Sequence, residues 1–276
     1  MYNHFNKKML WAVIVIFTSF MILFPILWTI STSFKLDSET LSEPGRLIPR
    51  NPTLQNYFTV WNSSPMPIYF KNSFIVAGVE ALLAVIISTL AAVAFSRFYF
   101  KGRDILFILL LAFSMIPSLV YLIGQYTALS KLGLLNSHLS LIVIYAATRI
   151  PITLWILKDS FDQIPSELDE AALLDGCGIL DMLIHIHIPL ARSGIAGVFF
   201  LNVLFCWNEF IVALTLISST YKRTIPVGIN SFIDIYGISY GPLLAAAIIA
   251  SIPVLILFII LGRQFVEGLT EGAVKG

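Results

Sequence analysis

Long apolar segments alternate with shorter polar segments along this chain. Six apolar segments carry few or no charges, and each approaches or exceeds the about 20 residues that a helix needs to cross about 30 Å of hydrocarbon. These segments cover residues 10–34, 72–97, 105–126, 139–161, 194–218 and 241–262. The pattern predicts an all-α membrane protein in which a single transmembrane domain, residues 1–276, contains six transmembrane helices.

The composition supports this prediction. Hydrophobic residues make up 58% of the chain, charged residues only 12%, and the mean hydropathy is +0.87, whereas a soluble domain is about half apolar and about a quarter charged. The formal net charge of +1 and the lack of a basic run argue against a nucleic-acid partner. Cys177 and Cys206 fit neither a metal pair nor a disulfide framework, so we interpret both as small apolar side chains.

Basic residues decide the predicted orientation, because cytoplasmic loops are enriched in Lys and Arg. The shortest loop, between the second and third spans, contains a basic cluster, and a further pair lies beside the first span. These residues are Arg97, Lys101 and Arg103, with Lys7 and Lys8. The rule places both termini and residues 162–193 in the cytoplasm. It places residues 35–71 in an outward loop, which its prolines predict to be irregular.

Residues 162–193, which we call the elbow, combine polar and helix-forming residues in an otherwise apolar chain. Ser166 is placed to cap a helix, and Asp169 stands three residues later at the reciprocal position of a capping box. The spacing i, i+3, i+4, i+7 then predicts a face of small side chains that another surface can approach closely. This face consists of Leu168, Ala171, Ala172 and Asp175, beside Glu167 and Glu170.

Two glycines divide the elbow. Gly176 is predicted to stop the first helix, and Gly178 is predicted to make a sharp turn. Residues 179–187 form a second short helix that Pro189 is expected to end. The elbow is therefore predicted to be a helix-turn-helix that projects from the bilayer.

The elbow has two possible environments. A helix that lies on a membrane surface usually turns Lys and Arg toward anionic lipid, but residues 162–191 contain neither, and their acidic residues are concentrated before Gly176. Docking of the elbow to another protein therefore fits the sequence better than contact with lipid.

Three charged residues lie well inside the predicted spans, away from the span ends, namely Glu80, Arg149 and Glu209. A charge in hydrocarbon is unfavourable, so such residues are candidates for a translocation path. At about 1.5 Å per residue, all three can meet in the outer half of the bilayer, where Arg149 could pair with either carboxylate. Trp207 and Asn208 are further candidates for this path. The alternative interpretation is that these side chains hold helices or subunits together, and the sequence leaves both open.

Patterns typical of enzymes and metal sites are missing from the sequence. His185 and His187 are two residues apart and therefore point to different faces of a helix, unlike an i, i+4 metal pair. The sequence contains no HExxH motif and no GxxxxGK[ST] loop that could hold ATP phosphates. We therefore assign no catalytic residue, no metal ligand and no bound cofactor to this chain.

Several motifs together resemble a known family. The pattern Glu-Ala-Ala, then Gly, then Ile-Pro resembles the EAA motif in permease subunits of binding-protein-dependent ABC importers. It is carried by Glu170, Ala171, Ala172, Gly176, Ile188 and Pro189. Further motifs are similar to the carbohydrate branch, in particular the maltose-type second permease. These are Trp207–Phe210, Thr224–Gly228, Gly268–Thr270 and Gly272–Gly276.

The resemblance implies a function, partners and a location. The expected function is import of a sugar or oligosaccharide by ATP-driven alternating access, with glycerol 3-phosphate or a sugar acid as alternative cargo. The expected partners are a second permease, two ATPase subunits that bind ATP and Mg, and an extracytoplasmic sugar-binding protein. The expected location is the cytoplasmic membrane of a bacterium or an archaeon. In the family, the elbow is a cytoplasmic coupling loop that seats in a cleft on the ATPase, and the coupling residues here would be Glu170, Ala171, Ala172, Asp175, Gly176 and Pro189.

A second hypothesis is a self-sufficient secondary transporter driven by protons through Glu80, Glu209 and Arg149. Such a transporter is expected to contain internal repeats and broken helices. The two hypotheses differ in one requirement, because only the first needs a separate ATPase.

Overall fold

The computed structural model describes residues 2–234 and 237–270, with side chains described over residues 9–233 and 237–264. The end of the tail motif, residues 271–276, lies outside the described residues. The first half of the chain forms α1 (Tyr2–Ser33), α2 (Asp37–Ser42), α3 (Gln55–Asn62), α4 (Met66–Arg97), α5 (Arg103–Ser114), α6 (Ser118–Lys131) and α7 (His138–Asp162). The second half forms α8 (Ser166–Leu174), α9 (Ile179–Met182), a π turn (Leu183–His187), α10 (Ile188–Leu190), α11 (Arg192–Asn208), α12 (Ile211–Leu216), α13 (Ile225–Ile229) and α14 (Tyr240–Thr270), with 3₁₀ turns at Thr220–Lys222 and Asn230–Phe232.

The described residues are mostly helical, and several helices are long and apolar enough to cross a membrane. Four qualify as single spans, within α1, α4, α7 and α14. Two bent helix pairs bring the number to six if each pair is counted as one span. The predicted number of six spans is therefore the upper end of what the structure supports.

The third predicted span, residues 105–126, is not a straight helix. The axes of α5 and α6 differ in direction by 94° across Met115–Pro117. Pro117 cannot donate a backbone hydrogen bond, and its ring disfavours helical geometry at the residue before it. The break therefore occurs where the sequence has its proline, although the periodic apolar pattern continues through it.

The fifth predicted span, residues 194–218, is also interrupted. Helix α11 ends at Asn208 and α12 begins at Ile211, because Glu209 adopts an extended conformation with φ −72° and ψ 127°.

Proline does not break every helix of the chain. Helices α1, α7 and α14 continue through Pro25, Pro151 and Pro253.

The loop predicted to face outward, residues 35–71, is more regular than expected. It contains α2 and α3, and α4 already begins at Met66. The buried side chain of Asn56 donates to the carbonyl oxygens of Ser33 at 2.8 Å and Lys35 at 2.7 Å, which ties α3 to the end of α1.

The all-α prediction also needs a small correction, because Ile233–Asp234 and Gly237–Ile238 form a short antiparallel pair of strands, β1 and β2.

The chain divides into two compact units. The first unit comprises residues up to 67 and residues 228–252, and the second comprises residues 68–227 and the residues from 253 onward. In the second unit, α4, α7 and α11 share a hydrophobic core that includes Ala92, Leu157, Phe161 and Val198. All the ionisable side chains that the sequence places inside spans belong to this second unit.

Helix α11 approaches α7 closely at Gly194. A Cβ atom added there would lie 2.3 Å from Oγ of Ser160 and 3.0 Å from its Cβ. At Gly124, in the middle of α6, a Cβ atom would meet nothing within 4 Å apart from the adjoining residues and backbone of its own helix. The absence of a side chain at Gly194 is therefore what allows the two helices to pack at this point.

We expect Gly194→Ala to destabilise the protein by about 1–3 kcal/mol, because the new methyl group forces α7 and α11 apart. Gly124→Ala is the control, since its methyl group enters open space. The measurement is chemical or thermal unfolding of both variants in detergent. Equal stabilities would contradict the packing described at Gly194.

Candidate functional site

The first helix of the elbow begins differently from the prediction. Ser166 is the first residue of α8, whereas the cap position is Pro165, which offers no side-chain hydrogen bond. Ser166 therefore does not cap this helix. Asp169 does not complete a capping box either, because its carboxylate is held by side chains from other elements.

The prediction that Gly176 stops this helix is confirmed. Gly176 has φ +81°, a conformation that favours glycine. Its N–H donates to the carbonyl of Leu173 at 3.1 Å, and the N–H of Cys177 donates to the carbonyl of Ala172 at 2.9 Å. This pair of bonds is the Schellman motif, which satisfies the last carbonyls of a helix. Gly178 is not a sharp turn, because its backbone is extended and it is the N-cap residue directly before α9.

The second helix of the elbow does not end at Pro189. It runs from Ile179 to Leu190 through the π turn and then bends by 77° into α11. Within the π turn, the N–H of Ile188 donates to the carbonyl of Leu183, five residues back. Pro189 lacks an N–H and would clash with the carbonyl four residues earlier in a regular α-helix. The wider turn just before Pro189 accommodates its ring, so the helix continues to Leu190.

The predicted face of small side chains is divided between surface and core. Glu170, Ala171 and Asp175 are exposed, whereas Ala172 is buried. The sequence interpretation missed four exposed apolar side chains of the elbow, which we call the elbow patch. It consists of Leu173, Leu174, Ile179 and Leu180, which are 58–90% exposed. The two consecutive leucines after the EAA motif were the available signal for it.

Three polar side chains connect the elbow to α4 on its buried side. Nε2 of His187 lies 2.7 Å from Oδ1 of Asp169, and Nε of Arg97 lies 3.1 Å from Oδ2 of the same carboxylate. A terminal nitrogen of Arg97 also donates to the carbonyl of Ile164 at 2.7 Å. Arg97 is in the last turn of α4, so these contacts join α4, α8 and the π turn. Sequence spacing gave no indication that these residues meet.

Apolar packing holds the same part of the elbow. Ile164, Leu183 and Ala191 belong to the core that α4, α7 and α11 share. The ring of Phe161, also in this core, packs edge to face against His187 with ring centroids 6.2 Å apart. The elbow is therefore packed into the helices on one side and exposes Glu170 and the elbow patch on the other.

The ionisable residues of the spans meet at one cavity. A cavity of about 50 Å³ is lined by Glu80, Arg149 and Glu209, together with polar side chains from α6 and α7. The guanidinium carbon of Arg149 lies 4.0 Å from the centre of the Phe205 ring. Among the described side chains, no ion pair within 4.0 Å joins Arg149 to either carboxylate. The predicted meeting of the three residues is seen, but the predicted ion pair is replaced by stacking on an aromatic ring.

Glu209 has a structural task at this cavity. Its carboxylate accepts hydrogen bonds from the N–H groups of Val212 at 2.8 Å and Ala213 at 3.0 Å, and Tyr145 donates its hydroxyl to it. These contacts satisfy the first N–H groups of α12, where a negative charge is also favourable. The break between α11 and α12 is therefore stabilised by the side chain of the residue at the break.

Glu80 is in the opposite situation. It is 0% exposed, and neither of its carboxylate oxygens has a hydrogen-bond partner. Oε1 of Gln125, which lines the same cavity, is also buried without a partner. Buried polar atoms without partners are unfavourable and uncommon, so this cavity offers acceptors to a hydrogen-bond donor.

Trp207 and Asn208 do not line this polar cavity. Trp207 is buried, packs edge to face against Phe74 at 4.9 Å between ring centroids, and lines a separate apolar cavity of about 350 Å³. Asn208 is exposed and donates to the carbonyl of Leu204 at 2.7 Å. Over the residues that the structure describes, no group of three or more His, Cys, Asp or Glu side chains is arranged to hold a metal ion.

Comparison with known proteins identifies the family. Residues 52–270 match the family described as binding-protein-dependent transport system inner membrane component. The chain belongs to this family, and the resemblance to ABC importer permeases drawn from its motifs is confirmed. It is thus a transport permease that spans the membrane several times.

Similar proteins extend over nearly the whole chain. The trehalose/maltose transport system permease protein MalG of Thermococcus litoralis is 37% identical over 273 residues, which cover 98% of each chain. The sulfoquinovosyl glycerol transport system permease protein SmoH of Agrobacterium fabrum is 34% identical over 254 residues, covering 92% of this chain and 89% of that protein. Both relatives are named as permeases of carbohydrate-type cargo.

Solved structures share the fold. A chain from a bacterial ABC transporter that imports the acidic polysaccharide alginate superimposes with a TM-score of 0.84 at 19% identity, covering 96% of this chain and 98% of that chain. A second structure, of a bacterial alginate ABC transporter in complex with a periplasmic protein that holds an alginate pentasaccharide, gives 0.72 at 17% identity, with 96% of each chain covered.

The different contacts of Glu80 and Glu209 predict that substituting them affects stability differently. We expect Glu209→Ala to destabilise the protein by about 1–2 kcal/mol, because the N–H groups at the start of α12 lose their acceptor. Glu80→Gln should leave stability unchanged or raise it, because it removes a buried charge whose oxygens have no hydrogen-bond partner. Unfolding of both variants in detergent measures the difference. A Glu209→Ala protein as stable as the unmodified protein would refute the capping role.

Proposed function

We propose that this chain is a permease subunit of an ABC importer that moves a sugar or oligosaccharide into the cytoplasm, driven by ATP hydrolysis on partner subunits. The observation that carries the proposal is the elbow. It is a short helical segment, closed by the Schellman motif at Gly176, that exposes Glu170 beside the elbow patch while its other side is packed into the helices. Exposed apolar side chains next to a polar one are typical of a surface that docks a protein.

The docked partner is an ATPase subunit. Glu170 faces basic or hydrogen-bonding groups in a cleft on that subunit, and the elbow patch fills the apolar part of the cleft. Ala171 and Asp175 lie at the same surface, whereas Ala172, Gly176 and Pro189 shape the elbow itself. When the ATPase subunits close, the elbow moves as a rigid body, and the packed helices rock between outward and inward openings.

The rest of the assembly follows from the family. The elbow and both termini face the cytoplasm, and residues 35–71 face outward. The partners are a second permease, two ATPase subunits that hold ATP and Mg, and an extracytoplasmic sugar-binding protein, in the cytoplasmic membrane of a bacterium or an archaeon. The alginate transporter solved with its periplasmic protein supports a binding-protein partner.

The cavity between Glu80, Arg149 and Glu209 belongs to the translocation path. Its unpartnered acceptors at Glu80 and Gln125 suit the hydroxyl groups of a sugar. At about 50 Å³ it has room for a few water molecules in this conformation but not for a sugar ring, so the passage of a sugar ring requires the helices to move apart. Trp207 and Asn208 have contacts that support packing and a local hydrogen bond more than a role in this path.

A proton-driven secondary transporter remains the alternative. The breaks at Pro117 and Glu209 are of the kind that such a transporter needs. Membership of the binding-protein-dependent family supports the importer instead. The two proposals are separated by the need for ATP, because only the importer depends on partner ATPase subunits.

We expect Glu170→Lys and Gly176→Asp to remain in the membrane but to lower ATP-dependent uptake by about tenfold or more. The first variant reverses the docking charge, and the second places a side chain where φ is +81°. The measurement is uptake of labelled disaccharides, starting with trehalose and maltose, into proteoliposomes that contain both permeases and the ATPase subunits, with the binding protein outside.

Asp159→Lys is the matched control, because Asp159 is an exposed acidic residue of α7 outside the elbow. Its uptake should stay close to that of the unmodified protein. Normal uptake by Glu170→Lys and Gly176→Asp would contradict the coupling role. Uptake without any ATPase subunit, driven by a proton gradient, would favour the secondary transporter.

A further inference from the structure

We propose that Arg97, Asp169 and His187, which we call the latch, transmit the movement of the elbow to α4. The inference rests on the proposed importer function and concerns positioning residues that contact neither the ATPase nor the cargo. Glu170 and Asp169 then have separate tasks although they are neighbours in the sequence. Glu170 contacts the partner, and Asp169 connects the elbow to the transmembrane helices.

The latch joins three elements that are separate in the sequence. Asp169 is in the first turn of α8, Arg97 is in the last turn of α4, and His187 is in the π turn that leads to α11. One carboxylate serves both partners, through Oδ1 toward His187 at 2.7 Å and Oδ2 toward Arg97 at 3.1 Å. Because an ionised carboxylate only accepts, Nε2 of His187 is the donor.

The latch is shielded from water, which makes it stiffer than a surface ion pair. The side chains of Arg97, Asp169 and His187 are only 14%, 18% and 5% exposed. Exposed pairs contribute little and rearrange freely, whereas removing one partner of a buried pair leaves a charge without compensation. The positions also suit the helix dipoles, since a cation lies at the end of α4 and an anion at the start of α8.

The connection to α4 leads to the cavity. Glu80 belongs to the same helix as Arg97, seventeen residues earlier, and lines the cavity of the proposed path. At about 1.5 Å per residue the helix spans about 25 Å between them. The elbow is linked to α7 and α11 through the chain itself, but among the described contacts its first helix reaches α4 through the latch. A displaced elbow therefore pulls on the end of the helix that carries Glu80.

The test is Asp169→Asn in the complete importer, with both ATP hydrolysis and uptake of labelled maltose or trehalose measured in the same proteoliposomes. We expect ATP hydrolysis to stay near normal while sugar moved per ATP falls by about fivefold or more. Asp169→Glu should restore part of this ratio. Asp181→Asn is the control, because this substitution makes the same charge change within the elbow. Among the described residues, the carboxylate of Asp181 accepts only from the backbone N–H of Gly178.

A purely structural role gives a different result. If Asp169→Asn lowers hydrolysis and uptake in parallel with the amount of assembled complex, the latch only stabilises the fold and the inference is wrong. An unchanged ratio of sugar to ATP also overturns it. If Asp169→Asn does not assemble, His187→Gln is the second variant, because its side chain retains a hydrogen-bond donor. We expect the sugar moved per ATP by His187→Gln to lie between the values of the unmodified protein and of His187→Ala. Failure of the importer proposal is recognised separately, because the unmodified complex would then show no ATP-dependent uptake.

Discussion

Polar groups inside hydrocarbon must find partners within the protein, and this constraint governs where the helices of this chain can break. At Glu209 the backbone leaves the helix, and the carboxylate of the same residue takes over the N–H groups that the break exposes. At Pro117 the residue has no N–H to satisfy in the first place. Glu80 is one exception, since its oxygens are buried without hydrogen-bond partners, as is Oε1 of Gln125. Both residues line the same cavity, and under the proposed function a polar cargo supplies the missing donors there.

The elbow shows the same constraint at the end of the bundle. Its first helix ends with carbonyl groups that need partners, and the Schellman bonds around Gly176 supply partners for two of them within the elbow. These two bonds need not break when the elbow moves. The neighbouring side chains of this helix then have different surroundings, because Glu170 is exposed and Asp169 contacts Arg97 and His187. A helix places neighbouring residues about 100° apart, which is what permits this difference.

Much of this arrangement can be predicted from the sequence, because apolar runs and special backbone conformations are local properties. The long runs identify the spans, and the glycine at 176 identifies the end of α8. The sharp bend at Pro117 could not be predicted, since other prolines lie in helices that continue, and only tertiary packing decides between the two. The stacking of Arg149 on Phe205 and the contact between Asp169 and His187 join residues that are distant in sequence. No spacing rule reports such contacts.

The π turn before Pro189 has a consequence for chain length. An i→i+5 turn contains one residue more than an i→i+4 turn, so the helix from Ile179 to Leu190 holds one residue more than a regular α-helix would. Loss of one residue in this turn would leave an ordinary α-helix whose two ends keep nearly the same relative rotation, because the wider turn takes up the extra residue within about one turn. The ring of Pro189 would then meet the carbonyl four residues before it. A deletion in this turn is therefore expected to break the helix at Pro189, although the turn lies outside both the elbow patch and the cavity.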